Sequence, residues 1–191
     1  CWCTRSPLAP AIIASVSLLS RDDILRALEA LARALPRGAK KIDIVLVGGA
    51  AIVLLYGARA ATKDVDVIVL GLATAEPLRA AVRQVAADLG LPDDWLNDAA
   101  KGYAHGIALG DLLLDTPALS VRAAALEQLL AMKLSAWRDD VDIADAALLL
   151  SKLSGEREMV WGCVAPFLVP GRELKARYAF DDLWESRHGS A

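Results

Sequence analysis

VGGAAIVLLYGARAATKDVDVIV, residues 47–69, is the stretch that decides the fold. It begins with a glycine pair and continues as an apolar run, Ala50 to Tyr56, followed by Gly57, a residue that suits the C-terminal cap of a helix. The segment after it, Asp64 to Leu70, alternates with a period of two and is rich in β-branched residues, which is typical of a strand. We therefore predict a short buried helix followed by a strand.

The residues on either side extend this pattern. IDIVLV, Ile42 to Val47, is β-branched and bounded by turn residues, which predicts a buried strand before the glycine pair. Apolar side chains recur at helical spacing over residues 21–35 and again over Glu76 to Leu89. After an initial helix, the first half of the chain is therefore expected to follow a β-α-β-α order.

The middle and the end of the chain differ in pattern. Short apolar stretches near Ile107, Leu112 to Leu114 and Leu119 to Val121 predict short antiparallel strands. The spacing is then helical over four segments, 126–138, 142–153, about 156–168 and 171–185. We predict an α/β fold with a small mixed sheet, flanking helices and a helical C-terminal half. Its expected divisions are an extension at 1–20, a core at 21–123 and a helical region at 124–191.

Composition limits the classes of function. With 191 residues, 55% of them hydrophobic, the chain is long enough for one compact domain. The net charge of −3 gives no general attraction to nucleic acid, which disfavours DNA binding and leaves nucleotide binding open. The three cysteines form no CxxC pair and favour free thiols in a reducing compartment. We therefore expect a cytoplasmic protein with no membrane partner.

The first twenty residues have two interpretations. Arg5 and the apolar run from Leu8 to Leu19 resemble a signal peptide. The run contains Pro10, lacks a clear small-x-small cleavage site and is shorter than the roughly 20 apolar residues of a membrane span. We therefore favour an N-terminal extension.

Asp64 and Asp66 are the strongest candidates for a metal site. They lie two residues apart on a predicted strand, so both carboxylates point to one face while Val65 and Val67 point into the core. Two ionised carboxylates on one face repel each other, which favours a divalent cation between them. Mg²⁺, or Mn²⁺ in its place, suits such a pair because water and phosphate oxygens supply its other ligands. For an isolated Asp-x-Asp, the alternative is solvated surface.

Gly48 and Gly49 lie between the first strand and a helix, where backbone N–H groups can hold phosphate. An isolated glycine pair would equally fit a tight turn. This pair belongs neither to a Walker loop nor to a dinucleotide-binding motif. It lies one helix before Asp64 and Asp66, so all four residues are expected at one edge of the sheet, which favours the nucleotide interpretation.

A second group of charged residues lies in KLSAWRDDVDIAD, residues 133–145. Lys133 and Arg138 come late on one predicted helix, and Asp142 and Asp145 open the next. A lysine on an apolar helix face either extends to solvent or points at an anion in a cleft. The two aspartates would also serve as an N-cap and a first-turn acid.

These motifs resemble a known family. Residues 47–69 look like the first motif of the minimal nucleotidyltransferases of the polymerase-β superfamily, in which a glycine pair and a helix precede Asp-x-Asp on a strand. Residues 133–145 resemble the Lys-x-x-Ala-x-Arg and Asp-x-x-Asp motifs of the AbiEii/MenT-type toxins, and WLNDAAK at 95–101 resembles a segment of their relatives. The resemblance spans roughly residues 21–153.

The resemblance implies the toxin of a toxin–antitoxin system, which transfers a nucleotide from an NTP to RNA such as a tRNA 3′ end. Asp64 and Asp66 would bind the metal, and Asp142 or Asp145 would complete the catalytic site. The NTP would contact glycines and polar side chains, namely Gly48, Gly49, Arg59, Thr62 and Lys133. A cognate antitoxin would be the protein partner.

The sequence departs from the superfamily pattern at two points. A third carboxylate is expected from a later strand; Asp111 and Asp115 are the candidates, and each could equally be a turn residue. The basic residue usual before Asp-x-x-Asp is Val141 here. Two alternatives stay open: nucleotidyl transfer to a protein or small molecule, and a binding module with an incomplete metal site. A third carboxylate near the Asp pair would favour catalysis, and its absence would favour the binding module.

Overall fold

The computed structural model describes residues 18–38, 40–57, 59–71 and 75–189. The predicted extension at 1–20 therefore lies almost wholly outside the described residues. The first half of the chain contains β1 (Leu19–Ser20), α1 (Arg21–Ala34), β2 (Ile42–Leu46), α2 (Gly48–Tyr56), β3 (Ala61–Thr62), β4 (Val65–Leu70) and α3 (Ala75–Leu89). The second half contains β5 (Leu96–Asn97), a 3₁₀ helix (Ala99–Tyr103), β6 (Leu109–Asp115), β7 (Leu119–Ala124), α4 (Leu126–Ala136), α5 (Asp140–Lys152), α6 (Arg157–Val164), a second 3₁₀ helix (Ala165–Phe167) and α7 (Glu173–His188).

The main sheet is mixed, with the strand order β5-β4-β2-β7-β6. The central strand β2 runs antiparallel to β4 and parallel to β7. β6 is antiparallel to β7, as predicted for the middle of the chain, whereas the short β5, which was not predicted, is parallel to β4. The prediction of an α/β fold with a small mixed sheet and a helical C-terminal part is confirmed.

Local sequence explains where α1 begins and ends. The Ser20 side chain accepts a hydrogen bond from the Asp23 N–H, and the Asp23 carboxylate accepts one from the Ser20 N–H, which forms a capping box. The helix buries the apolar stripe of Ile24, Ala27, Leu28 and Leu31. It ends at Ala34, two residues before Pro36.

Several predicted boundaries need correction. β4 begins at Val65, so Asp64 precedes the strand instead of opening it. α2 begins at Gly48, so the glycine pair forms the first turn of the helix and does not precede it. The N-cap of α5 is Asp139, whose side chain accepts the N–H of Asp142; Asp142 therefore lies inside the helix.

The end of α4 depends on an unusual residue. Trp137 has a φ of 41°, and it is the one non-glycine residue with positive φ in the described ranges. This left-handed conformation ends α4 at Ala136, two residues before the predicted end. The Trp137 N–H still caps the helix by donating to the Lys133 carbonyl, so the chain turns sharply into α5.

The C-terminal helices cover the core. Val160 and Phe180 are buried in it, and Trp161 and Phe167 pack against its edge. Within the described residues, no helix has both the length and the apolar character needed to cross a membrane.

Candidate nucleotide-binding cleft

One cleft brings together the two predicted motifs. It lies between the start of α2, the β3–β4 segment and the facing ends of α4 and α5. Except for Asp145 and the two candidates for a third carboxylate, Asp111 and Asp115, every predicted site residue lines it, namely Gly48, Gly49, Arg59, Thr62, Asp64, Asp66, Lys133 and Asp142. The order of the strands and the turn at Trp137 thus place residues that are up to about 90 positions apart in sequence around one space.

The glycine pair allows charged groups to approach the backbone closely. Gly48 has a φ of +61°, and a Cβ atom there would lie 2.8 Å from Asp66 Oδ2. A Cβ atom on Gly49 would overlap the Arg59 guanidinium and lie 2.5 Å from Thr62 Oγ1. A side chain added at either position would therefore displace the side chains of the cleft that occupy the space beside it.

Short strands position Thr62 and the Asp pair. β3 pairs with β1, with Thr62 opposite Leu19, which fixes the buried Thr62 beside the glycine pair. The Val47 N–H donates to the Asp66 carbonyl at 3.0 Å, which joins the end of β2 to β4. Val65 and Val67 are 0% and 2% exposed, so the predicted alternation along this strand is confirmed.

The two carboxylates of the Asp pair are electrostatically coupled. Burial, reinforced by the negative charge of Asp64, raises the pKa of Asp66 to about 6. The Ala100 N–H and the positive charges of Lys133 and Arg138 oppose this rise. Asp64 accepts a hydrogen bond from Asn97 Nδ2 at 3.4 Å. The pair therefore carries unfavourable negative charge that a cation would relieve.

These carboxylates fit a hard divalent cation. Mg²⁺ takes one or two protein carboxylates and completes its octahedron with water and phosphate oxygens, and the open cleft leaves room for both. Within the described residues, no group of three or more His, Cys, Asp or Glu side chains is placed to hold a metal ion.

Asp111 and Asp115 do not supply the third carboxylate. Both lie on β6, at the opposite edge of the sheet from β5, and β7 and β2 separate that strand from β4. With a spacing of about 4.8 Å between strands, β6 is roughly 14 Å from β4. Asp115 instead forms an ion pair with Lys41, and Asp111 lies near Tyr56, where its charge contributes after burial to raising the tyrosine pKa. The structure therefore places neither candidate beside the Asp pair.

Lys133 is buried between two carboxylates. Its Nζ donates to Asp142 Oδ1 at 2.8 Å and lies 2.8 Å from Asp145 Oδ2, and the residue is only 8% exposed. Arg138 Nε donates to Asp142 Oδ2 at 2.9 Å, and Arg59 Nη2 lies 3.5 Å from Asp145 Oδ2. The lysine therefore does not extend to solvent, and the two aspartates contact cations instead of the Asp pair.

The charge state of Asp142 follows from these contacts. Burial alone would raise its pKa, but hydrogen bonds from Arg138 and Lys133 outweigh burial and hold the pKa at about 2. A carboxylate this strongly paired is a poor proton acceptor near neutral pH. Asp142 thus keeps Lys133 in place and is unsuited to act as a general base.

Residues that were not predicted also contribute to the site. The Ala100 N–H and the Asn97 amide contact the Asp pair, and both residues belong to the segment WLNDAAK, where the resemblance gave no role. Tyr103 lines the cleft, with the guanidinium carbons of Arg138 and Arg172 5.5 and 5.3 Å from its ring centre. The proximity of Tyr103 to Arg138 depends on tertiary packing and has no local signal in the sequence.

Comparison with known families agrees with this geometry. Residues 23–156 match the family described as "Nucleotidyltransferase of unknown function (DUF6036)". The chain belongs to this family. The matched residues include the glycine pair, the Asp pair and Lys133, so both sides of the cleft lie within the matched range. No curated protein and no solved structure matches the chain.

The family assignment covers part of what the sequence predicted. It confirms a nucleotidyltransferase, which implies an NTP substrate and typically a divalent metal. The relation of this DUF6036 member to the AbiEii/MenT-type toxins stays a prediction.

Proposed function

We propose that the protein is a Mg²⁺-dependent nucleotidyltransferase that moves an NMP group from an NTP to an acceptor hydroxyl. The observation that supports this proposal is a single cleft in which Asp64 and Asp66 face the glycine pair and the buried Lys133. A carboxylate pair suits metal and phosphate, and a buried ammonium and free backbone N–H groups suit a polyanion.

Asp64 and Asp66 would hold Mg²⁺, or Mn²⁺ in its place, and Asn97 would orient Asp64 through its amide hydrogen bond. When bound, the metal would neutralise the negative charge that develops on the phosphates during in-line displacement. The acceptor oxygen attacks the α-phosphorus, the bond from the α-phosphorus to the bridging oxygen breaks, pyrophosphate leaves, and the hydroxyl proton of the acceptor passes to water.

The triphosphate would bind on the other side of the cleft. The backbone N–H groups at the start of α2, at Gly48 and Gly49, lie at the positive end of that helix. Arg59 packs on Gly49 and keeps a buried Nε donor that has no hydrogen-bond partner within the described residues. Lys133 provides a buried positive charge, and the Thr62 hydroxyl lies beside Gly49. These groups match the donors that phosphate oxygens need.

For the acceptor, we propose RNA, with the tRNA 3′ end as the first substrate to test and a toxin–antitoxin system as the biological setting. The support is the resemblance of residues 133–145 to toxin motifs. Exposed cations at the cleft, Lys63 and the 60% exposed side chain of Arg138, are compatible with a polyanionic acceptor. Val141 in place of a basic residue limits that positive surface.

The test is incubation of purified protein with Mg²⁺, each α-³²P-labelled NTP and total RNA. The inactive variant is Asp64→Asn, Asp66→Asn. Asp111→Asn, Asp115→Asn is its matched control because it removes the same charge from the distant strand β6. Label on RNA with wild type and the control, and none with the inactive variant, supports the proposal and names the nucleotide. Label on protein or small molecules instead of RNA would contradict the proposal that RNA is the acceptor.

A nucleotide-binding module is the second candidate function. The observation that favours it is the lack of a third carboxylate beside the Asp pair within the described residues. NTP binding without transfer to RNA, protein or small molecules would support this candidate over the first.

A further inference from the structure

The buried carboxylate of Asp145 has a setting that differs from that of the Asp pair. Asp145 is 3% exposed, lies on α5 one turn after Asp142 and does not line the cleft. Its Oδ2 atom lies 2.8 Å from Lys133 Nζ and 3.5 Å from Arg59 Nη2. One carboxylate oxygen therefore contacts two cations that both border the cleft.

We propose that Asp145 is a positioning residue that holds Lys133 and Arg59 together as one triphosphate-binding group, and that it is neither a metal ligand nor a general base. This inference rests on the proposed function and assigns Asp145 a role within it. Since both cations lie within 3.5 Å of one oxygen atom, they are no more than about 6 Å apart. Without an anion between them, two like charges at that distance repel.

In the absence of substrate, the Asp145 carboxylate thus supplies the negative charge that a bound phosphate would supply. Cations that are already held in position need no reorganisation when charge develops on the phosphates during transfer. Lys133 and Arg59 line the cleft whereas Asp145 does not, so a phosphate in the cleft would meet the two cations and not the carboxylate. Misplacement of such groups by about 1 Å can cost on the order of a hundredfold in rate.

Loss of the Asp145 carboxylate is expected to strengthen polyanion binding and to slow turnover. Lys133, Arg59 and Arg138 with Asp142 and Asp145 carry a formal charge of +1, and Asp145→Asn raises this charge to +2. The added positive charge attracts a polyanion more strongly. The side chains of Lys133 and Arg59, however, are no longer held in fixed positions relative to each other. We therefore expect Asp145→Asn to bind inorganic tripolyphosphate about threefold or more tightly while kcat falls by about a hundredfold.

The experiment measures three quantities on the full chain. Calorimetry gives tripolyphosphate affinity in Mg²⁺, electron paramagnetic resonance gives Mn²⁺ affinity, and the labelling assay gives kcat. Asp182→Asn, an exposed carboxylate on α7, is the control for a change of net charge. Tighter tripolyphosphate binding, unchanged Mn²⁺ affinity and reduced kcat support the proposal. Weaker Mn²⁺ binding, tripolyphosphate affinity equal to or weaker than that of wild type, or an unchanged kcat overturns it.

A second variant covers the case in which Asp145→Asn does not fold. Arg59→Gln removes a partly exposed cation, and the proposal expects at least about tenfold weaker tripolyphosphate binding; unchanged affinity overturns it. A wild-type protein that binds tripolyphosphate but transfers no nucleotide contradicts the proposed function alone, and the affinities of the variants then decide on Asp145. Wild-type protein that binds no tripolyphosphate contradicts both.

Discussion

The guanidinium group of Arg59 occupies the space in which a side chain on Gly49 would begin. The glycine therefore has a second role besides exposing its N–H to a ligand: it leaves room for the arginine that faces Asp145. The glycine at position 49 and the arginine at position 59 are one structural unit, although most of α2 lies between them.

Gly49→Ala is expected to displace Arg59 and Thr62 and to weaken NTP binding by about tenfold, as the loss of one charged contact would. Combining it with Arg59→Ala is expected to add little further loss because both changes remove the same contact. Calorimetric titration of the two single variants and the double variant checks this. Gly162→Ala, in open space on α6, is the matched control, and fully additive losses would contradict the coupling.

Asp66→Asn is expected to stabilise the metal-free protein at pH 7 by about 2 kcal/mol, because burial and the Asp64 charge raise the pKa of Asp66 to about 6 in the folded state. Above pH 6 the folded wild type carries a buried charge that the variant lacks. As pH falls toward about 4, the wild type takes up this proton on folding and the difference disappears. Urea unfolding of both proteins in the presence of a chelator, at pH 7 and pH 4, measures this difference in stability. An equal difference at both pH values would contradict the ionisation of Asp66 as its cause.

Metal binding is expected to weaken in the same pH range. A cation at Asp64 and Asp66 competes with the proton on Asp66, so Mn²⁺ affinity is expected to fall about tenfold per unit below a pH of about 6. Electron paramagnetic resonance titration between pH 7 and pH 5 checks this. The Asp111→Asn, Asp115→Asn variant is expected to follow the wild-type curve, and affinity that does not vary with pH would exclude this pair as the ligand.

Asp142→Asn is expected to destabilise the protein by about 2 to 3 kcal/mol at neutral pH, since it leaves Lys133 and Arg138 without their shared carboxylate. The folded-state pKa of about 2 lies below the unfolded value. The stabilisation is therefore fully present above about pH 4 and is lost as pH falls toward 2. Chemical unfolding of wild type and Asp142→Asn from pH 7 to pH 2 measures it. Asp182→Asn should change stability little, and a deficit that persists at pH 2 would assign the loss to packing.

Local patterns were sufficient to predict most helices and strands and the part of the site that the glycine pair and the Asp pair form. The stripe along α1 and the alternation around Val65 and Val67 depend on neighbours a few residues away, and the structure has both. Gly48 and Asp66 lie close in sequence, with one helix between them, so their meeting also followed from chain order.

The remaining errors come from contacts between distant parts of the chain. The exclusion of Asp111 and Asp115 depends on strand order, which places β6 at the far edge of the sheet. The sequence likewise offers no signal that Arg59 reaches Asp145, 86 positions later, or that a left-handed Trp137 turns Asp142 back onto Lys133. Side-chain partners of this kind are set by the packing of α4 and α5 on the sheet.

The placement of Asp66 on β4 and of Lys133 on α4 has a thermodynamic consequence. A triphosphate in the cleft would touch both the sheet and the helical region, and so act as a removable cross-link between two parts of the chain. By linkage, the free energy of unfolding would rise with the logarithm of nucleotide concentration once the site is saturated. Amide protons of α4 and α5 would then exchange more slowly, which would make the substrate a structural component of the folded protein as well as its reactant.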